Sequence, residues 1–105
     1  MPSSSPPNIV LVLTDDQRTG SIKRMPAVWS LIRRRGVRYP NAMAPTSLCC
    51  PSRASILTGL YAHHTRVYSN GLPDGGWQRF HERGLEERTL AVALHDVGFE
   101  TGMFG

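Results

Sequence analysis

The sequence predicts an α/β domain with a mostly parallel central sheet flanked by helices. Three observations carry that prediction. Asn8 to Leu13 (NIVLVL) is an unbroken apolar run with β-branched members, the pattern of a strand buried on both faces. Two stretches repeat apolar residues at helical spacing: Val28, Leu31 and Ile32, then Leu90, Ala93, Leu94 and Val97. A second short run, Phe99 to Phe104 (FETGMF), follows the later of the two as a further strand. Strand, helix and strand in alternation is the order of a parallel sheet with helical crossovers.

In chain order, residues 1–7 are rich in Ser and Pro and predict a disordered leader, with the domain proper over 8–105. This opening lacks a basic segment followed by an apolar one. It does not read as a secretory signal and predicts a cytoplasmic chain, with export left open. The first strand ends at Thr14-Asp15-Asp16-Gln17, and residues 18–25 are polar and basic, hence loop. Pro26 suits a first helical position and Gly36 a stop. Arg33, Arg34 and Arg35 fall in the last turn of that helix, as a solvated end favoured by the helix dipole. Trp29 reads as helix packing. Val37 to Ala42 (VRYPNA) predicts a short edge strand, because Pro40 cannot donate to a central ladder. Pro51 opens a helix that Gly59 stops. Residues 60–87 are rich in Gly, His, Arg and aromatics without periodicity, and predict a long surface loop. Thr89 is an N-cap for the last helix, and Gly98 its stop.

The size and charge of the chain narrow its chemistry. A chain of 105 residues is one small domain or part of a larger one. Twelve Lys and Arg against eight Asp and Glu give a net charge of +4, and every base except Lys23 is arginine. Arginine suits flat oxyanions such as carboxylate, phosphate and sulfate. The bases are scattered apart from Arg33–Arg35, with no stripe interleaved with aromatics, which argues against nucleic acid. The two cysteines, Cys49 and Cys50, are adjacent, so the chain has neither a disulfide framework nor zinc-ligand spacing. No apolar run reaches the length of a membrane span.

Two constellations can carry chemistry. Asp15 and Asp16 sit just past the carboxyl end of the first strand, where open α/β sheets place ligands. Neighbouring carboxylates can bind a hard divalent cation, although the pair by itself fits an ordinary Asp-rich turn as well. Cys49 lies just before a predicted helix N-terminus, and Arg53, four residues on, projects from the same face. Together they form an anion clamp, or else a small packing residue and a surface arginine. The spacing alone leaves these two readings even.

Cys49-Cys50-Pro51-Ser52-Arg53-Ala54-Ser55-Ile56-Leu57-Thr58-Gly59 resembles the signature C-x-P-S-R-x-x-x-L-T-G of type I, formylglycine-dependent sulfatases. The run Asn8 to Gln17 resembles that family's first strand and metal-binding turn, and Thr89 to Gly105 its helix and strand leading to the next active-site segment. The Cys-Cys form, Trp77-Gln78 and the ending Gly102–Gly105 look most like the N-acetylglucosamine-6-sulfatase branch. The resemblance implies an alkaline-phosphatase-like sandwich, of which 8–105 would be the N-terminal portion.

It also implies roles. In the family a formylglycine-generating enzyme reads C-x-P-x-R and oxidises the cysteine to Cα-formylglycine. Cys49 has Pro51 and Arg53 at the required positions. Cys50 would have Ser52 and Ala54, so Cys49 is the implied nucleophile precursor and Cys50 a packing residue. The hydrated aldehyde attacks the sulfur of a sulfate ester and later releases sulfate, splitting one hard step into two. Ca²⁺, or another divalent cation, binds sulfate oxygens. Asp15 and Asp16 match its first ligand pair, with the residue at 49 as a further ligand. Arg53 matches the residue that holds the formylglycine, and loss of such a stabiliser costs ~10²–10³ in rate.

His63 is a weaker substrate-binding candidate. With His64 it fits an exposed loop histidine at least as well. Asn70, Asp74 and Trp77 are of the types that line sugar pockets, and none stands out. His81 and His95 read as structural or solvated. The implied substrate is a sulfated small molecule or carbohydrate. Family members are several times longer, and their catalytic lysine, their histidine and their second ligand pair lie beyond position 105. The chain therefore reads as an N-terminal piece, inactive alone. The related phosphonate or phosphate ester hydrolases share the motif and form an alternative. A non-catalytic basic binding module is another, and it rests on the net charge and the arginine run alone.

Overall fold

The structure, a computed structural model, describes residues 5–105. The predicted leader therefore falls partly outside the described residues; Ser5, Pro6 and Pro7 are exposed and carry no regular structure. The chain divides into two units, Met1–Pro40 and Asn41–Gly105.

In the first unit the predicted strand Asn8–Leu13 forms no ladder, and its apolar side chains are exposed, Val10 to 83%. A strand buried on both faces exists only between paired neighbours. Among the described residues there is no strand to pair with it. The predicted strands over 37–42 and 99–104 fail for the same reason, and Phe104 is 98% exposed. The expected layering of sheet and helices is thus not formed here. The described elements are helical, and the one bridge recorded joins Ser69 and Gly75.

Helical winding does begin at Pro26, as the spacing predicts, but Val28–Arg33 is a widened helix. Its signature is the five-residue bond from Arg34 N–H to the Trp29 carbonyl, 3.2 Å. Gly36 ends it by close approach rather than by a left-handed turn, since a Cβ there would lie 2.9 Å from the Ile32 carbonyl oxygen. Leu31 and Ile32 stay exposed. Trp29 packs against its own helix: the Arg33 guanidinium sits 3.4 Å above the ring. A short 3-10 turn, Ser21–Arg24, precedes this helix and starts from Gly20 at φ 86°.

The second unit holds a small core. Its elements are α1 (Cys49–Thr58), α2 (Ala62–Thr65), α3 (Gly76–Glu82), a 3-10 turn (Leu85–Arg88) and α4 (Leu90–Asp96). Helix α1 begins two residues earlier than Pro51 predicts. Leu48 is extended, and its carbonyl accepts from Ser52 N–H at 3.0 Å. Pro51 is then the third helical residue, where a missing N–H breaks no helix bond. Gly59 stops the helix as expected, at φ 71°, donating to the Ser55 carbonyl at 2.8 Å.

The predicted surface loop 60–87 is the main correction. Val67, Phe80 and Leu85 from this stretch join Ala54 of α1 in the core, and Thr65 is fully buried. Helices of four to seven residues complete at most about two turns, too little for a periodic pattern to register. His81 Nδ1 lies 2.7 Å from Glu86 Oε2, tying α3 to the 3-10 turn. Thr89 caps α4 as predicted, its Oγ1 accepting from Val92 N–H at 3.3 Å. Gly98, at φ 93°, closes that helix with bonds from Gly98 N–H to His95 and from Phe99 N–H to Leu94. Among the described residues no helix is long and apolar enough to cross a membrane.

Candidate active site

Helix α1 sorts its side chains by the 3.6-residue period. Pro51, Ala54 and Ser55 are buried and define the inner face. Cys49, half-buried, and Arg53, exposed, stand one turn apart and so share the other face, with Ile56 continuing the row. The C-x-P-x-R spacing therefore becomes geometry: proline inward against the core, cysteine and arginine outward together. Neither cysteine takes part in a disulfide.

Cys50 has a different environment. It packs against the core, its N–H donates to Asn70 Oδ1 at 2.9 Å, and its thiol faces the Asn70 carbonyl at 3.9 Å. The Leu48 side chain offers no cap, so Asn70, twenty residues beyond Cys50, performs that task.

A tight loop presents Asn70. Tyr68 and Ser69 N–H both donate to the Asp74 carbonyl, at 2.6 and 3.3 Å, and Gly76 N–H donates to Ser69 O at 3.0 Å. Ser69 Oγ donates to the Gly71 carbonyl at 2.6 Å. The chain passes itself so closely that a Cβ on Gly75 would lie 1.8 Å from the Ser69 carbonyl oxygen. Gly76, at φ 71°, is restricted by its left-handed conformation and by Asn70 O, 2.9 Å from where a Cβ would lie. The glycine pair Gly75-Gly76 after Asp74 was the one signal of this closure in the sequence. Asp74 acts through its main chain, and Trp77 stacks on Phe80 with centroids 5.6 Å apart.

His63 is exposed on α2, stacked on Tyr61 at 5.9 Å and tilted by 46° against His64 at 4.0 Å. A shallow groove of about 310 Å³ lies at the other end of α1 from Cys49, lined by Ile56, Gly59, Arg88, Leu90 and Ala93 among others. It is an apolar dip between helix ends and does not hold the Cys49–Arg53 pair.

In the first unit Asp15 and Asp16 share one exposed turn. Asp16 is left-handed at φ 46°, a conformation that aspartate tolerates better than most residues. The Thr14 hydroxyl bonds across the turn to Gln17 Oε1, and Gln17 Nε2 reaches Met25 Sδ at 3.1 Å. The two carboxylates are thus held on adjacent residues of a closed turn.

The family model described as Sulfatase matches residues 7–105, nearly the whole chain. The chain belongs to the sulfatase family. Among curated relatives, this sulfatase chain is 43% identical over 102 residues to an N-acetylglucosamine-6-sulfatase of Homo sapiens, covering 94% of the chain and 18% of that protein. It is 41% identical over 103 residues to an extracellular sulfatase SULF-1 homolog of Drosophila melanogaster, covering 94% and 9%. An arylsulfatase of Chlamydomonas reinhardtii is 34% identical over 103 residues, covering 94% and 16%. The sulfatase chain therefore spans less than a fifth of the length of these relatives. No solved structure matches it.

Proposed function

We propose that this segment supplies the nucleophile and part of the metal site of a sulfuric ester hydrolase acting on sulfate monoesters, with sulfated sugars as the substrate class. The observation that carries this is the outward pair Cys49 and Arg53 on α1, set by the C-x-P-x-R spacing within a sulfatase-family chain. The N-acetylglucosamine-6-sulfatases among its relatives support the sugar assignment.

Cys49 is the residue a formylglycine-generating enzyme would convert. The aldehyde so formed, once hydrated, supplies an oxygen nucleophile for attack at sulfur. Arg53, one turn along the same face, holds that residue in place and offsets the charge of the sulfate. Asp15 and Asp16 would hold the divalent cation, with residue 49 as a further ligand. Carboxylate oxygens are the donors that Ca²⁺ takes, whereas a thiolate is a soft donor that suits it poorly. The donor set therefore fits a hard cation only after Cys49 has become an oxygen-bearing residue. When bound, the cation supplies positive charge to the sulfate oxygens. The fold that supports this chemistry is the family's α/β sandwich, in which the apolar run Asn8–Leu13 takes its place as a strand.

The test is peptide mass spectrometry of residue 49 in protein from its native host, with parallel sulfate and phosphate ester assays on the full-length enzyme. The expected result is an aldehyde at residue 49, with Cys50 intact, and preference for the sulfate ester. Unmodified Cys49 overturns the reading, and a preference for phosphate or phosphonate esters reassigns the substrate. The 105-residue chain alone is expected to show no sulfate-ester turnover.

A further inference from the structure

We infer that Asn70 is a positioning residue for the nucleophile at position 49, an inference that rests on the sulfatase reading. A peptide unit is planar, so fixing one of its atoms fixes the others. The Asn70 Oδ1 bond to Cys50 N–H at 2.9 Å holds the peptide that joins Cys50 to Cys49. It thereby sets the direction in which residue 49 projects from the first turn of α1. The Asn70 carbonyl at 3.9 Å from the Cys50 thiol adds a second point of attachment and keeps residue 50 turned toward the core. With residue 50 held inward, residue 49 is held outward, on the face of Arg53.

The loop that carries Asn70 is suited to this task. The carbonyl of Asp74 gathers two amides, and Gly75 and Gly76 allow a self-contact that admits no side chain. Buried Val67 and Phe80 anchor the loop on either side. The Leu48 side chain makes no cap, and Pro51 has no N–H to hold. A nucleophile displaced by an ångström loses rate far more than binding, so the effect belongs in kcat.

The test uses the full-length enzyme, with the aldehyde content at residue 49 measured by mass spectrometry for every variant. Asn70→Ala removes the acceptor. Per molecule of aldehyde, kcat is expected to fall about 10- to 100-fold, with KM within about threefold. Asn70→Asp keeps an acceptor oxygen and is expected to retain kcat within about threefold at its optimum.

Wild-type kcat in Asn70→Ala at wild-type aldehyde content overturns the positioning role and leaves the sulfatase reading standing. If Asn70→Ala fails to accumulate, Asn70→Leu, which keeps the bulk of the side chain without its acceptor, takes its place, and wild-type kcat in that variant at wild-type aldehyde content overturns the role. A wild-type enzyme without aldehyde at residue 49 overturns the sulfatase reading, and this inference with it.

Discussion

The apolar run Asn8–Leu13 and the polar, irregular stretch 60–87 trade the places their compositions predict. The first has the sequence of a core strand and is exposed. The second has the sequence of a surface loop and supplies Val67, Phe80 and Leu85 to the core. The difference lies in where each finds its partners. A parallel strand depends on backbone donors and acceptors from other strands, which no residue within its own span can supply. The short helices of 60–87 bond internally, and a few buried residues, Thr65, Val67, Phe80 and Leu85, suffice to close the stretch over α1. Apolar composition states a demand for burial, and local connectivity decides whether a segment of this length can meet it.

The largest expected effect tests that contrast directly. Phe80→Ala removes a ring that is 6% exposed and stacked on Trp77, and it should cost about 3–5 kcal/mol, enough to unfold so small a core. Val10→Ala, at 83% exposure, should change the stability of the same chain by less than about 0.5 kcal/mol. Urea melts of both variants check this. In the full-length enzyme, where a sheet would enclose the run, Val10→Ala should become costly while Phe80→Ala stays so. Equal costs for the two substitutions in the 105-residue chain would remove the distinction.

The same contrast explains what could be read from the sequence. Caps and stops were legible because they are local: Thr89 needs only Val92, and Gly59 only Ser55. The Cys49–Arg53 face was legible because helical spacing alone places it. Asn70 was not, because its partner is twenty residues away and an asparagine between Ser and Gly reads as turn chemistry. The start of α1 was misjudged by two residues because Pro51 tolerates the third helical position as readily as the first. The sheet is a property of segments that must meet across a chain, and periodicity reports only their demand for it.

A smaller effect isolates a local device in the second unit. Thr89→Ala removes the acceptor for Val92 N–H and should cost about 1 kcal/mol, read as faster amide exchange confined to α4. Exchange that rises equally in α1 and α3 would mean that α4 is integral to the core rather than docked on it.

The smallest effect belongs to the first unit, where the Trp29 ring is covered by a neighbour on its own helix. The Arg33 guanidinium 3.4 Å above the Trp29 ring shields one face of an indole that the unit otherwise leaves half-buried. Arg33→Ala should cost below about 1 kcal/mol, because a cation–π contact at an exposed site is weak. Its clearer readout is spectroscopic. In a Trp77→Phe background, loss of Arg33 should shift Trp29 emission to the red as water replaces the guanidinium. Arg33→Lys should restore part of the shift, since an ammonium on a flexible stem covers less of the ring than a planar fork. An unchanged spectrum in Arg33→Ala would show that something other than Arg33 covers Trp29. The first unit would then hold its apolar groups by contacts more like those of the second.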